Sequence, residues 1–394
     1  MFNVEKIRKD FEVLNKNIVY LDSACMSLKP RQVIDKINEY YKEYPGCGGR
    51  SHHKISKQVT LEVENSRKII KKFLNAKKGD LIFTKNTTES INLVANSLGF
   101  NKGDIVVSSD REHNSNLLPW QMLEERKGIK RKIVDGKQDF SFDLEDYKEK
   151  IKGAKLVSVV HVSNLDGYTL PIKEIIKIAH ENDALVMIDG AQSAPHKEID
   201  VKKLDADFFA FSGHKMLGPT AIGGLYGKQE LLEKLDPFIV GGETVNETTY
   251  DSHEFDKIPH KFEAGLQHYA GIVGFGAATN YLMKAGLKNI EKHEMQLQKF
   301  IVEELNDSFK IKRIGFEGNT GIFNFNIENM SPHNVAMILD ETDNIMIRSG
   351  AHCVHSWFNK HNLQGSARAS LYLYNNKEDC ERFIKGLRKV LKLG

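Results

Sequence analysis

The chain has 394 residues, 40% of them hydrophobic and 28% charged, with 56 basic and 53 acidic side chains for a net charge of +3. That length can bury a sizeable core and is expected to form two domains. Interspersed charges and short, interrupted apolar runs give no reason to expect nucleic acid, an anionic membrane or a spanning segment as partner. Residues 1–10 carry both charge signs and lack the apolar stretch of a signal peptide. The four cysteines, Cys25, Cys47, Cys353 and Cys380, show no paired spacing, so free thiols and a cytoplasmic location are expected.

In chain order, a helix is expected over 4–14 and a core segment at 18–21. Short apolar runs then predict strands at 81–84, 104–108, 156–161, 184–189, 208–212 and 223–226. Between them, helical patterns cover 89–98, 120–127, 171–181 and a short 201–204. Alternation of this kind predicts an α/β domain with a mixed, mostly parallel sheet. The run at 156–161 has little polar alternation, as in a strand covered on both faces. After about residue 270 the texture changes to one long helix over 271–306, strands at 322–327 and 345–347, and a last helix over 377–393. This reads as a smaller α+β domain. The expected division is 17–282 for the large domain, with 1–16 and 283–394 making the small one. Gly271, Gly274 and Gly276 imitate a dinucleotide fingerprint but stand in helical sequence rather than after a strand, and are set aside.

Four segments at expected strand ends carry chemistry. In Val186-Met-Ile-Asp-Gly-Ala-Gln192 an apolar strand delivers Asp189 at its C-terminal end, where open α/β sheets bind ligands. In Phe209-Ala-Phe-Ser-Gly-His-Lys215 a second strand leads to a lysine in a glycine-containing turn, with Ser212 and His214 placed to reach a phosphate. In Phe83-Thr-Lys-Asn-Thr-Thr-Glu-Ser90, Asn86 and Glu89 make a capping-box-like start to a helix. The N–H groups there, with the Thr87 and Thr88 hydroxyls, suit an anion. In Ser109-Asp-Arg-Glu-His-Asn-Ser-Asn116, His113 is a candidate aromatic plate and proton carrier. Singly these are a strand-end cap, a surface lysine, a capped helix and an ordinary histidine. Together they suit pyridoxal 5′-phosphate (PLP), which needs a Schiff-base lysine and a carboxylate on its ring nitrogen.

The segments also resemble a family. Tyr20-Leu-Asp-Ser-Ala24, Asn86-Thr-Thr-Glu89, Glu112-His-Asn114, Pro119-Trp-Gln121, His161-Val-Ser-Asn164, Asp189-Gly-Ala-Gln192, Ser212-Gly-His-Lys215, Phe262-Glu-Ala-Gly265, Arg348-Ser-Gly-Ala-His-Cys353 and Arg368-Ala-Ser-Leu371 occur in order over nearly the whole chain. They resemble the class V aminotransferases, and closely the group II cysteine desulfurases and selenocysteine lyases. The resemblance implies a PLP-dependent transferase of fold type I, aspartate aminotransferase-like. It implies Lys215, Cys353 and His113 as catalytic residues. Thr87, Thr88, His113, Asn164, Asp189, Gln192, Ser212, His214 and Lys215 would bind the cofactor, and Asn164, Arg348 and Arg368 the substrate. Gln192 would meet the phenolic oxygen, Arg368 the substrate carboxylate, and Cys353 the sulfur, with His352 helping to stabilise its thiolate. Cys25, Cys47 and Cys380 receive no role and read as packing or loop residues. No metal is expected, because neither His52-His53 near Cys47 nor His352-Cys353 near His355 has a standard ligand spacing.

The implied activity is desulfuration of L-cysteine to L-alanine, with a persulfide on Cys353 passed to a sulfur-acceptor protein, as in iron–sulfur cluster assembly. Selenocysteine lyase is the nearest alternative. A class V aminotransferase or epimerase without persulfide chemistry, or a non-catalytic sulfur-carrier docking protein, are the others. A homodimer is implied, with the 242–265 segment near the partner's cofactor. Two positions depart from the family pattern. Leu266 stands where a threonine usually reaches the partner's phosphate, leaving Gln267, His268 or water to replace it, and Ala351 stands where a histidine is usual.

Overall fold

The computed structural model describes residues 2–305, 308–316 and 321–393. After a two-residue strand, β1 (Val19–Tyr20), the next seven strands form the central sheet: β2 (Asp80–Thr84), β3 (Ile105–Ser109), β4 (Lys130–Val134), β5 (Ala154–Val160), β6 (Leu185–Asp189), β7 (Phe208–Ser212) and β8 (Gly223–Gly227). Their spatial order is β2-β8-β7-β6-β5-β3-β4. Strands β3 to β7 run parallel, and β8 is antiparallel to β7 and β2. The sheet is therefore mixed and mostly parallel, as the alternating pattern predicts.

Side chains alternate between two buried faces, so the inner strands β5, β6 and β7 are apolar over most of their length. In β7 the side chains of Phe209 and Phe211 enter the core on one face, while Phe208 and Ala210 enter the core on the other. The first face is covered by helices Arg31–Glu43, Lys54–Phe73, Ile172–His180 and Tyr269–Ala285, through Val33, Ile70, Ile175 and Phe275. The second is covered by Thr87–Ser97 and Leu118–Lys127, through Ile91, Val94 and Trp120. Each fully buried phenylalanine contributes about 1.5–3 kcal/mol, so β7 anchors both layers.

A hairpin, β9 (Val245–Thr248) and β10 (His253–Phe255), precedes a second, antiparallel sheet. That sheet contains β11 (Ile311–Arg313), β12 (Ile322–Ile327), β14 (Arg348–Gly350) and β15 (Ser366–Ser370), in the order β11-β12-β15-β14. The remaining strand, β13 (Ile345–Met346), pairs in parallel with β1. Helices Leu287–Leu305, Pro332–Asp343 and Lys377–Val390 cover this sheet through Ile301, Leu339 and Phe383.

Two expected helices come out differently. The stretch expected over 271–306 is two helices, Tyr269–Ala285 and Leu287–Leu305, separated at Gly286. Its φ of 83° suits glycine and closes the first helix, its N–H bonding Leu282 O. Residue 306 lies outside the described residues. The helix expected over 4–14 is a short Val4–Arg8 turn and a 3-10 turn, Glu12–Lys16. Arg8 here donates to Tyr374 O and Asp379 at 2.6 and 2.7 Å. The glycines of the false fingerprint serve packing. A Cβ on Gly274 would lie 2.7 Å from Ile37, and one on Gly276 would lie 2.5 Å from Ser66 Oγ. Among the described residues, no helix is long and apolar enough to cross a membrane.

Candidate active site

Five central strands deliver side chains to one cavity of about 210 Å³ at the C-terminal edge of the sheet. Asn86 and Thr87 follow β2, His113 follows β3, Asn164 follows β5, Asp189 ends β6 and Ser212 ends β7. Arg348 on β14 and Arg368 on β15 close the cavity from the second sheet.

Asp189 is 3% exposed, and its Oδ1 accepts the Ala191 N–H at 2.9 Å. Burial raises its pKa, while that N–H and the charge of Lys215 act against the rise. A buried carboxylate of this kind calls for a cation opposite it. The next residue must be small, because a Cβ on Gly190 would lie 2.1 Å from the Phe209 ring. Lys215 ends the Gly213–Lys215 turn that follows β7. Desolvation lowers its pKa, Arg368 and Arg348 add to the effect, and Asp189 opposes it. A lysine held this way is a better amine nucleophile than one in water.

The Thr87–Ser97 helix starts at the cavity, capped by Asn86, whose side chain accepts the Glu89 N–H at 3.1 Å. Ser212 Oγ lies 2.9 Å from Thr87 N and 2.7 Å from Thr87 Oγ1, and Thr88 Oγ1 lies 2.7 Å from Ser115 Oγ. These hydroxyls and the helix end form an anion cradle. His214 lies at its rim, where burial and the charges of Lys215 and Lys29 bring its pKa down to about 4.

His113 Nδ1 accepts the Ser115 N–H at 3.1 Å, which leaves the ring proton on Nε2. Burial, followed by the charges of Lys215, Arg348 and Arg368, pushes its pKa down to about 3, so the ring is neutral. Glu112 holds this loop, accepting from Asn116 Nδ2 at 2.6 Å and Val160 N at 3.1 Å. Burial raises its pKa to about 7. Asn116 Oδ1 in turn accepts from Trp120 Nε1 at 3.3 Å, so the segments around 112 and 120 form one network.

Arg368 is 1% exposed. Its Nη1 donates to Asn164 O at 2.7 Å and its Nη2 reaches Asp22 at 3.4 Å. Asn164 Nδ2 donates to His352 O at 2.7 Å, and Gln192 Nε2 donates to Ala24 O at 2.7 Å.

The two sulfurs of the site meet at Arg348, whose Nη1 donates to Cys25 Sγ at 2.7 Å and whose Nη2 lies 3.8 Å from Cys353 Sγ. Cys25 lines the cavity, and Cys353 stands at the other terminal nitrogen of the Arg348 guanidinium. His352 and Cys353 both have left-handed backbones, φ 49° and 60°, and Asn114 N donates to Cys353 O at 2.7 Å. The thiolate support expected from His352 is corrected. Its buried, neutral ring bonds Ser366 Oγ at 3.0 Å, and Arg348 is the group beside the sulfur. Cys25, a packing residue on the sequence alone, belongs to the cavity. Its place directly after Tyr20-Leu-Asp-Ser-Ala24 was the available signal.

In Phe262-Glu-Ala-Gly265 the glutamate is structural. Glu263 makes a buried two-point pair with Arg67 at 2.8 and 2.9 Å and accepts the Phe83 N–H at 2.7 Å. Leu266 is 73% exposed, and Gln267 directs its amide to Ala264 O and Gly265 O.

The cavity fits pyridoxal phosphate on its own donor set. Lys215 suits the aldehyde, Asp189 the pyridine nitrogen and the Thr87–Ser212 cradle the phosphate. Gln192 Oε1, His352 Nδ1 and Arg368 Nε are buried without hydrogen-bond partners, and all three residues line this cavity. Its walls therefore retain polar capacity for a bound group. Among the described residues, no group of three or more His, Cys, Asp or Glu side chains is arranged to hold a metal ion.

A family model described as aminotransferase class-V matches residues 19–383. A "probable cysteine desulfurase" of Pyrococcus abyssi is 41% identical over 394 residues, covering 98% of both chains. The apo structure of a cysteine desulfurase from Thermococcus onnurineus superposes with a TM-score of 0.95 at 40% identity, covering 98% of each chain. A cysteine desulfurase of Escherichia coli, in an S-sulfonic acid form, gives 0.93 at 32% identity, covering 100% of this chain and 99% of that one. The mostly parallel central sheet with its smaller antiparallel partner is fold type I, aspartate aminotransferase-like.

Proposed function

The chain belongs to the aminotransferase class-V family, and on that premise we propose that it is a PLP-dependent cysteine desulfurase converting L-cysteine to L-alanine. One observation carries this reading: the Lys215–Asp189 pair shares a cavity with two guanidiniums and a thiol, and a second thiol stands on one of those guanidiniums.

Bound there, PLP supplies an aldehyde that condenses with amines and a ring that withdraws electrons from the substrate Cα. Lys215 would hold the cofactor covalently and, once its amine is freed, take the Cα proton. Its depressed pKa suits that base role. Asp189 would keep the ring nitrogen protonated, and Thr87, Thr88, Ser212 and His214 would hold the phosphate. Asn164 and Gln192 would contact the ring's substituents. Arg368 and Arg348 would bind the substrate carboxylate. His113 is neutral with its proton on Nε2, so it acts here as a stacking plate and hydrogen-bond donor rather than a resting base.

Cys353 takes the sulfur. Its thiolate attacks the substrate Sγ, and an S–S bond forms as the Cβ–Sγ bond breaks. The electron pair of that bond goes to the carbon skeleton, and with a proton gained at Cβ and one returned to Cα the skeleton leaves as alanine. Arg348 donates to the sulfur, and a charged donor favours sulfur bearing negative charge. A sulfur-acceptor protein or small thiol then removes the sulfane sulfur.

The dimer belongs to the same reading. Phe238, Ile239, Val240 and Leu266 are exposed at 45%, 46%, 60% and 73%, apolar surface of the kind that a second copy of the chain would cover. The four free cysteines support a cytoplasmic setting. The test is release of alanine and sulfide from L-cysteine with a reductant, run beside alanine and selenide release from L-selenocysteine. Turnover of selenocysteine alone would replace this reading with selenocysteine lyase, and turnover of neither would remove both.

A further inference from the structure

We propose that Cys25 is a second sulfur-handling residue, which receives the sulfane sulfur from the Cys353 persulfide across Arg348.

The inference rests on the desulfurase reading and on geometry that the reading does not use. Cys25 and Cys353 are far apart in sequence, yet one guanidinium touches both, with Nη1 on the first sulfur at 2.7 Å and Nη2 on the second at 3.8 Å. Cys25 lines the same cavity as Lys215 and Arg368. The other two cysteines are elsewhere. Cys380 is fully buried in the second core, and Cys47 lies beside Tyr269. Cys25 is held by its backbone neighbours, since Ala24 N donates to Ser370 Oγ and Ala24 O accepts from Gln192. Its side chain is only half-buried and meets a cation that already serves the reacting sulfur.

The step balances without an oxidant or reductant. The Cys25 thiolate attacks the outer sulfur of the Cys353 persulfide. A bond forms between that sulfur and Cys25 Sγ as the bond to Cys353 Sγ breaks, and Cys353 leaves as a thiolate. The persulfide proton travels with the transferred sulfur. Arg348 donates to the thiolate consumed and to the thiolate released, so the charge stays on one cation throughout. Cys353 is then free to accept a second sulfur before any acceptor arrives, and the protein stores one sulfur per thiol.

The holoenzyme would be given excess L-cysteine without reductant, alkylated, digested and mapped by mass spectrometry, with alanine counted in the same samples. In the wild type, one extra sulfur is expected on Cys353 and one on Cys25, with Cys47 unmodified as the internal reference. Cys25→Ala should keep the Cys353 persulfide and halve the alanine burst, and Cys25→Ser should repeat this with the volume preserved. Cys353→Ala should carry no extra sulfur at Cys25. A wild-type Cys25 without extra sulfur, beside a persulfide on Cys353, overturns the relay and leaves the desulfurase reading standing. Equal labelling of Cys47 overturns it too, because sulfur would then be arriving from solution. Extra sulfur on Cys25 in Cys353→Ala overturns the order of transfer. No alanine and no persulfide anywhere removes the desulfurase reading itself.

Discussion

Arg348 and Arg368 are direct register partners across the antiparallel pair β14–β15, two like charges set opposite each other at one wall of the cavity. Opposed like charges destabilise a sheet. Asp22 lies 3.4 Å from Arg368, and Cys25 Sγ accepts from Arg348. The pair therefore has capacity for a carboxylate ligand. Replacing Arg368 with lysine keeps the charge but loses the planar fork and the bond to Asn164 O. Affinity for cysteine should fall by about 1.5–3 kcal/mol, the scale of a charged hydrogen bond. An unchanged KM for cysteine would show that another group holds the carboxylate.

Lys215→Ala should bind the cofactor without a covalent bond and lose turnover. Borohydride treatment of the wild type should fix the cofactor to the peptide containing Lys215. Its recovery on Lys29, a half-buried lysine whose pKa is lowered to about 8, would overturn the assignment.

Cys353→Ser should retain the cofactor's colour and its spectral response to L-cysteine yet lose sulfide release, because serine cannot hold a persulfide. Sulfide release from cysteine at the wild-type rate would count against persulfide chemistry and favour the aminotransferase or epimerase alternative.

Glu263→Gln removes the buried anion of the Arg67 guanidinium and leaves it only the more exposed Glu64 at 3.4 Å. Breaking a buried pair from one side costs about 3–5 kcal/mol. Urea unfolding should show the loss, and an unchanged midpoint would mean that Arg67 finds compensation at Leu81 O, which it already contacts at 2.7 Å.

Acid should weaken the fold through its buried histidines. Burial lowers His113 and His161 to about 3 from the ordinary 6.5, so the unfolded chain takes up protons at these rings first. Their contribution is present above pH 6.5 and is lost as the pH falls toward 3. Glu112 acts in the opposite sense. Raised from 4.5 to about 7, it stabilises the fold below pH 4.5 and loses that effect as the pH rises through 7. Glu112→Gln should therefore make the stability of the cofactor-free protein fall more steeply between pH 7 and pH 5. A slope equal to that of the wild type would refute the assignment of Glu112.

The central strands were legible because both their faces are buried, so β5, β6 and β7 are runs of apolar residues with abrupt ends. The segments after β6, β7 and β3 could be read for Asp189, Lys215 and His113. Other elements had no such signature. Strand β4 is Lys-Arg-Lys-Ile-Val at the sheet edge, and β15 is Ser-Ala-Arg-Ala-Ser, buried but built of small residues. Helices Arg31–Glu43 and Lys54–Phe73 are amphipathic and polar overall, and they become necessary only once Tyr269–Ala285 packs against them. Cys25 was hidden for a different reason. Its meaning depends on Arg348, and no local pattern encodes a contact between β14 and the N-terminal segment.

The stretch from Asp22 to Ser27 is stitched to both halves of the molecule. Ala24 N and Ser23 N bond Ser370 at the end of β15, while Ala24 O bonds Gln192, and Ser27 N and Oγ bond His214 O, beside Lys215. Asn114 N to Cys353 O and Asn164 Nδ2 to His352 O make a second seam. The cleft is thus riveted at two places, each through at least one main-chain group, and each rivet lies within a few residues of a thiol. Neither sulfur can swing away from the lysine as a free side-chain arm would, unless its rivet parts. Opening of the cleft and retraction of the sulfur chemistry are therefore one mechanical event, and the amides of Ala24 and Asn114 should exchange with solvent at a common rate.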